Sequence, residues 1–237
     1  MTPQARLATA AELLDAIGAG RPAEQALTTW ARKNRYAGSK DRAAIRDHVF
    51  DVLRRRRSCA ALGGGETGRA LVIGLLRAQG EDPDAWLTGQ GYALPPLTAA
   101  ERASGAPPEG NAALDIPDWL APALQESLGA EMPAVAQALR RRAPLFLRWH
   151  EGRTTAPGAI AALAEDGIVA LPHPLAPTAL EVTEGARRLR QGRAWQEGLV
   201  EVQDAASQAV CAALPAGPGS RVLDYCAGGG GKALALA

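Results

Sequence analysis

The sequence predicts a mainly helical protein whose second half changes to mixed α/β structure. Of its 237 residues, 47% are hydrophobic but only 4% are aromatic, and much of the apolar content is Ala and Leu, which favours helices. Apolar residues recur at helical spacing through about the first 140 residues. From Pro144 onward, short strand-like runs alternate with short helical stretches.

Four helices are predicted in the first 77 residues. Residues 4–18 form an amphipathic helix that glycines close, and Pro22 suits the first turn of the second helix. The third runs from Ser39, an expected N-cap, into the run Arg54 to Arg57. Residues 69–77 (RALVIGLLR) are apolar nearly all round and predict a buried central helix.

Shorter helices and one loop are predicted between residues 83 and 142. Pro83 begins a helix, and Thr98 with Glu101 forms a capping box. Residues 104–111 (SGAPPEGN) are typical of a loop or linker. Two further helices follow, at IPDWLAPALQESLG and from Met132 to Arg142.

The remaining residues predict an α/β region. PLFLRW, GIVAL, ALEV and GLVEV each predict a strand, and the last leads into a helix with Asp204 as its N-cap. Residues 222–237 (VLDYCAGGGGKALALA) predict a strand, a glycine loop and the start of a helix. Such a loop brings backbone N–H groups to an anionic ligand, although four glycines also suit a flexible linker. It is neither a Walker A motif nor a clean GxGxxG motif.

Basic charge is concentrated at the front of the chain. The formal net charge is +1, yet residues 1–60 hold twelve Lys or Arg against six Asp or Glu. Clustered cations point weakly to a polyanion such as nucleic acid, while a solvated helix face explains them about as well. The candidate RNA-binding residues are Arg54, Arg55, Arg56 and Arg57.

The cysteines indicate neither a disulfide framework nor a metal site. Cys59, Cys211 and Cys226 are far apart, and the three histidines are equally scattered. No run of about 18 apolar residues and no signal peptide is found, so we expect a cytoplasmic protein without metal or membrane. We also expect a monomer, since no exposed heptad seam is found.

Five stretches carry a resemblance to a known family: DIPDWL, RRAPLFLRWH, LPHPLAPTALEV, GLVEVQDAASQAV and PGSRVLDYCAGGGGKAL. Through them the chain, from about Leu114 onward, resembles the Nol/Nop/Sun family of RNA cytosine-5 methyltransferases, and most closely its RsmB-like branch. The resemblance covers about half the chain, in the family's order. The first hundred residues more faintly resemble the NusB-like RNA-binding domain of that branch, through SKDRAAIRDHVFDVLRRR.

This resemblance implies three domains. A mainly α, NusB-like helical domain that binds RNA occupies residues 1–110, and a helical linker with a small α/β, RRM-like module that also binds RNA occupies 111–197. Residues 198–237 would begin a class I, Rossmann-like methyltransferase domain that is cut off. We therefore expect the chain to be a truncated form of a longer enzyme.

The activity implied by the resemblance is methylation of cytosine C5 in small-subunit ribosomal RNA, with S-adenosylmethionine as methyl donor. The loop departs from the family's usual Cys-Ala-Ala-Pro-Gly-Gly-Lys at Gly228 and Gly229, and Ala233 replaces the usual Thr. Gln203 and Asp204 match the segment beside the methionine pocket. The implied cofactor-binding residues are Cys226, Ala227, Gly228, Gly229, Gly230, Gly231 and Lys232.

Enzymes of this family use a thiolate to attack C6 of the cytosine. Cys226 matches the motif's cysteine, which we expect to be small, buried and structural, and His150 is expected to be a surface histidine. The two catalytic cysteines are expected beyond Ala237, so this form should be inactive alone. The alternative hypothesis is a non-catalytic RNA-binding protein with a vestigial cofactor loop.

Overall fold

The computed structural model describes residues 1–237, and two compact units can be distinguished in it. Residues Met1–Arg142 form one unit, called the helical unit here. Residues Ala143–Ala237 form the other, called the sheet unit. The two units are described separately.

The helical unit contains ten α-helices. One 3-10 turn, Gly129–Glu131, joins the last two helices. The helices are α1 Pro3–Gly18, α2 Ala23–Lys33, α3 Ser39–Arg54, α4 Arg56–Gly63, α5 Gly68–Ala78, α6 Pro83–Trp86, α7 Ala99–Ala103, α8 Gly110–Ala113, α9 Ala121–Leu128 and α10 Met132–Leu139.

Helix α5 is the central helix of this unit, as its sequence predicts. Its residues from Leu71 to Leu76 are buried in one hydrophobic cluster, to which α1, α2, α3 and α4 also contribute. Glycines allow the closest packing: a Cβ atom at Gly74 would overlap the carbonyl group of Cys59, and one at Gly63 would overlap the carbonyl group of Ala70. The backbones of α4 and α5 are therefore in direct contact.

The predicted third helix is interrupted inside the arginine run. Helix α3 ends at Arg54, and Arg55 leaves helical geometry (φ −132°, ψ 33°) before α4 begins. The first N–H groups of a helix lack intrahelical partners, and an acceptor from elsewhere in the chain satisfies one of them here. The Asp115 carboxylate accepts hydrogen bonds from the backbone N–H and the hydroxyl of Ser58, both at 2.8 Å.

Asp115 has a second charged partner and an uncommon backbone conformation. Its side chain is 4% exposed and lies 2.9 Å from Nε of Arg140. It is the one non-glycine residue with a positive φ, at 57°. The adjacent Asp118 forms an ion pair with Arg57 at 2.8 Å. Hydrogen bonds and an ion pair from the DIPDWL stretch thus connect the start of α4 to the region before α9.

The predicted capping box at α7 is present. The Thr98 hydroxyl accepts from the Glu101 N–H at 3.2 Å, and the Glu101 carboxylate accepts from the Thr98 N–H at 2.8 Å. The same carboxylate accepts a hydrogen bond from the guanidinium of Arg69 on α5, at 3.0 Å. This pair holds α7 on the central helix.

The Glu101 carboxylate should make stability depend on pH. The hydrogen bond from Arg69 and those from Thr98 lower its pKa from the ordinary 4.5 to about 2. A depressed folded-state pKa stabilises the fold above the unfolded value, and this contribution is lost as the pH falls from about 4.5 to about 2. Glu101→Gln should therefore be less stable than wild type by about 1 kcal/mol at neutral pH, and the gap should close in that window.

Urea unfolding at a series of pH values measures this gap. Glu109→Gln changes an exposed carboxylate that has no ion pair, and it should show no such gap. A gap for Glu101→Gln that stays constant down to about pH 3 would contradict the prediction.

The sheet unit is built on four strands. The strands are β1 Leu145–Trp149, β2 Val169–Pro172, β3 Ala179–Glu184 and β4 Val200–Val202. The helices are α11 Ala156–Glu165, α12 Arg193–Gln196, α13 Ala205–Ala212 and α14 Gly231–Leu236, and a 3-10 segment spans Ala186–Gln191. The sheet order is β2-β3-β1-β4, and every neighbouring pair is antiparallel.

Helices pack on both faces of this sheet. Leu147, Leu180 and Val200 pack on one face against residues of α11 and α12. Phe146 on the opposite face packs against Ala205 and Ala209 of α13. An RRM domain stacks bases on aromatic residues of its open sheet face. Because α13 covers Phe146, this face is not open for stacking there.

Two strands predicted near the end of the chain differ from the prediction, one in its pairing and one in not forming. Residues Val200–Val202, assigned from the sequence to the start of a third domain, pair with β1 and complete the four-stranded sheet. Residues 222–225 form no strand, and the side chains of Leu223 and Tyr225 are exposed. A strand requires a neighbour for its N–H and C=O groups, and none of the four strands lies beside this segment.

Candidate functional site

The glycine motif forms a loop that leads directly into α14. Gly228 and Gly230 have left-handed φ angles of 55° and 82°, a region that glycine enters at little cost. The loop is closed by a hydrogen bond from the Gly230 N–H to the Ala227 carbonyl at 2.8 Å. No heavy atom lies within 4 Å of a Cβ built at Gly229 or Gly230. The predicted loop is therefore an open backbone surface. It is called the elbow loop (Cys226–Gly230) here.

Gln203, the residue after β4, lies beside the start of α14. It is 8% exposed, and its Nε2 is 3.6 Å from the position that a Cβ of Gly231 would occupy. Its side-chain oxygen Oε1 is buried without a hydrogen-bond partner. An unsatisfied buried acceptor costs about 1–3 kcal/mol, so it is a group that a bound donor would satisfy.

Helix α13 holds this region together. Asp204 caps the helix by accepting from the Ala206 N–H at 2.8 Å, as predicted. Gln208 is 2% exposed and donates to the carbonyls of Leu147 and Gln203, which fixes α13 against β1. On its other side, the Cys211 thiol lies 3.9 Å from the Lys232 carbonyl of α14. The elbow loop is thus supported by the covered sheet.

The four arginines predicted to bind RNA are largely engaged within the protein. Arg54 is paired with Asp51, and Arg56 lies 3.3 Å from Glu66. Arg57 donates to Asp118 and to the Ile116 carbonyl, and this pairing raises its pKa. All four side chains are half-buried. The run Arg54–Arg57 therefore offers little free charge to a phosphate.

Sequence reasoning missed a second set of basic residues, around the turn between α2 and α3. All of them are exposed, and none forms an ion pair. They are Arg32, Lys33, Arg35, Lys40 and Arg42. The signal was present in the sequence, because residues 25–40 contain four basic residues and no acid. A net charge taken over 60 residues concealed this.

The three cysteines lie in different environments. Cys59 and Cys211 are buried on α4 and α13, and burial raises the pKa of the Cys59 thiol to about 11. Cys226 is exposed, so the expectation that it is a buried structural cysteine is wrong. The reason is that the segment before it does not enter a sheet. No group of His, Cys, Asp and Glu suited to a metal ion is found, and no helix is long and apolar enough to cross a membrane.

The sheet unit has a recognisable topology. Its β1–α11–β2 and β3–α12–β4 halves interleave in the antiparallel order β2-β3-β1-β4, which is the split β-α-β arrangement of ferredoxin-like domains. A family model described as the ferredoxin-like domain of RsmF/B-like methyltransferases matches residues 116–187. The fold and this match show that the sheet unit contains a domain similar to the ferredoxin-like domain of RsmF/B-like methyltransferases.

Curated proteins that match the chain share one name. The chain is 37% identical over 120 residues to the ribosomal RNA small subunit methyltransferase B of Xanthomonas campestris pv. campestris, which is 51% of this chain and 27% of that protein. It is 36% identical over 116 residues to the protein of the same name from Vibrio cholerae serotype O1, covering 49% and 26% respectively. The chain is thus similar to proteins named ribosomal RNA small subunit methyltransferase B over about half of its own length, and the alignments span about a quarter of these relatives.

A solved structure supports the fold over the whole chain. The protein in the structure titled Crystal Structure of PH0851 matches with a TM-score of 0.68 at 18% sequence identity. The match covers 100% of this chain and 60% of that one. At this level of identity the likeness concerns the fold alone.

Proposed function

We propose that the full-length protein containing this sequence methylates C5 of a cytosine in small-subunit ribosomal RNA, with S-adenosylmethionine as the methyl donor. The observation that carries the proposal is the open elbow loop leading into α14, where Gly231 lies beside the buried side chain of Gln203, in a chain whose relatives are named small-subunit RNA methyltransferases. We also propose the division of roles at residues 1–110, 111–197 and 198–237, with RNA binding in the first two.

The residues present fit the methionine end of this cofactor. That end carries an ammonium group, which donates hydrogen bonds, and a carboxylate, which accepts them. Two buried acceptors have no partner, Oε1 of Gln203 and Oδ2 of Asp224. The elbow loop offers N–H groups with no side chain in the way, and the first N–H groups of α14 have no partner within the helix.

We propose that Gln203 and Asp224 hold the ammonium group and that residues 226–232 hold the carboxylate. When bound, S-adenosylmethionine supplies an electrophilic methyl group. The protein's own contribution is to orient the cofactor between the elbow loop and the buried side chain of Gln203. We propose that the attacking thiolate comes from cysteines beyond Ala237, because Cys59 and Cys211 are buried and Cys226 matches the cysteine of the cofactor motif.

In the full-length protein, Gly230→Val should abolish measurable cofactor binding and methyl transfer. Gly230 has a left-handed φ, which a β-branched residue adopts only with strain, and its new side chain would stand on the open backbone surface of the elbow loop. Binding is measured by calorimetry, and transfer by labelled methyl incorporation into small-subunit RNA from cells lacking the enzyme.

The matched control is Gly20→Val. Gly20 also has a left-handed φ and open space around it, but it lies at the end of α1. It should bind cofactor normally, and both variants should bind RNA as the wild type does. A wild-type protein that transfers no methyl group to this RNA would overturn the proposal and favour a non-catalytic RNA-binding protein.

A further inference from the structure

Three aromatic side chains line a cavity on the helical unit that the proposed function does not use. Trp30, Tyr36 and Tyr92 border a space of about 730 Å³ against α1. Tyr36 is 73% exposed and Tyr92 is 88% exposed, and the whole chain has only three tyrosines. Two of its three tyrosine rings thus present their surfaces at one place, which is called the tyrosine pocket here.

The polar groups of the tyrosine pocket suit a neutral ligand with hydrogen-bonding edges. The Asn34 side-chain amide donates to the Trp30 carbonyl at 2.9 Å, which leaves its oxygen free as an acceptor. Glu12 and Gln90 also line the pocket, and neither side chain has a partner. The exposed carboxylate of Glu12 repels a phosphate but accepts hydrogen bonds from an amino group.

A basic groove lies next to this pocket, at the end of α2 and the start of α3. Arg32, Arg35 and Arg42 line a space of about 600 Å³, together with Thr28 and Ala31. All three guanidinium groups are exposed and free of ion pairs. This surface is called the arginine groove.

A smaller depression of about 200 Å³ joins the two surfaces. It shares Trp30 with the tyrosine pocket and Arg42 with the arginine groove. Aromatic and cationic surfaces are therefore continuous across the C-terminal half of α2. Proteins that bind single-stranded nucleic acid combine these two features, with aromatic rings for bases and a cationic groove for the backbone.

We propose that this surface binds an unpaired stretch of RNA, with a base against the tyrosine rings and the backbone phosphates in the arginine groove. The proposal rests on the proposed function for RNA being the ligand and adds which surface recognises it and in which form. A base within a duplex cannot place its face against a side-chain ring, so the surface selects single strands.

Fluorescence anisotropy with the 237-residue chain tests this proposal. The probe is a labelled single-stranded fragment of small-subunit RNA, about a dozen nucleotides long, compared with the same strand paired to its complement. Tyr36→Ala with Tyr92→Ala should weaken binding of the single strand about tenfold or more, because stacking on each ring is lost. Tyr36→Phe with Tyr92→Phe keeps both rings and should retain the affinity.

The arginine groove is tested by salt dependence. Changing Arg32, Arg35 and Arg42 to Gln should flatten the slope of log affinity against log salt by about 2, since each phosphate contact to a single strand contributes about 0.7. The control changes three other exposed, unpaired arginines to Gln and should leave the slope near wild type. These are Arg21, Arg141 and Arg221. All these side chains are exposed, and circular dichroism verifies that each variant is folded.

Three results would overturn this inference: equal affinity for single strand and duplex, unchanged binding by the Tyr→Ala pair, or the same loss of slope in the control triple. Binding to anionic vesicles but not to RNA would also overturn it. The proposed function is judged separately by methyl transfer. A full-length protein that methylates its RNA normally with both tyrosines changed to Ala, and binds that RNA unchanged, refutes only the present inference.

Discussion

Replacement of Asp115 with alanine is expected to lower the free energy of unfolding of the helical unit by about 3–5 kcal/mol. The Asp115 carboxylate is 4% exposed and is the acceptor for two hydrogen bonds from Ser58 as well as the ion-pair partner of Arg140. Its removal leaves the guanidinium of Arg140 without its carboxylate and the backbone N–H of the buried Ser58 without an acceptor. A partly buried cation that loses its partner is the costly case among ion pairs.

Two control variants separate the causes. Asp118→Ala removes an exposed carboxylate from its ion pair with Arg57 and should cost less than about 1 kcal/mol. Asp115→Asn keeps a side chain that tolerates a positive φ but loses the charge, so its cost should lie between the two. Urea unfolding measures all three. An Asp115→Ala variant no less stable than Asp118→Ala would show that the network contributes little.

Gly74→Ala is expected to destabilise the helical unit strongly, although it adds only one methyl group. A Cβ at Gly74 would overlap the backbone carbonyl of Cys59 on α4, and backbone cannot move aside as a flexible side chain can. Overpacking of a core costs about 1–3 kcal/mol, and we expect the upper end or more because α4 must separate from α5. Helix propensity alone would favour Ala over Gly by about 1 kcal/mol. A loss of stability would therefore show that the overlap with α4 outweighs the gain in helix propensity.

The control for this change is Gly18→Ala. Gly18 is the last residue of α1, and the nearest atom to its Cβ would be a guanidinium nitrogen of Arg56 at 3.8 Å, an ordinary contact. Its stability should be unchanged or slightly raised. Thermal and urea unfolding compare the two. If Gly74→Ala is as stable as Gly18→Ala, the two helix backbones are not in the contact described.

The helices could be predicted from the sequence because their signals are local. The apolar stretch at residues 69–77 is buried as α5, Thr98 with Glu101 forms its capping box, and Asp204 caps α13. Spacing, capping residues and proline position depend on neighbours within a few residues. The change to alternating strands near Pro144 was visible for the same reason.

Strand partners and charge partners could not be predicted, because they come from distant parts of the chain. Val200–Val202 reads as a strand, but its pairing with β1 depends on residues about 50 positions earlier. The sequence of the arginine run indicates free positive charge. In the structure Asp118, 61 residues after Arg57, neutralises part of this charge. The break at Arg55 likewise depends on Asp115, which satisfies the start of α4 from outside.

The sequence predicted which residues form the candidate cofactor site but not how deeply their side chains are buried. The sequence indicated a glycine loop near Gln203 and Asp204, and the structure brings Gly231 beside Gln203. The unpartnered oxygen of Gln203 and the exposure of Cys226 had no signal in the sequence. Burial of a single side chain is decided by packing, which a linear pattern does not encode.

The distribution of its thiols gives this protein a built-in attachment point for a spectroscopic label. Two of its three cysteines are buried, and Cys226 alone is exposed, at the first position of the elbow loop. Maleimide chemistry requires an accessible thiolate, so a fluorophore or spin label enters at one position without any cysteine being removed by mutation. The motion of the loop can therefore be followed in the unaltered chain, while cofactor or RNA is titrated in.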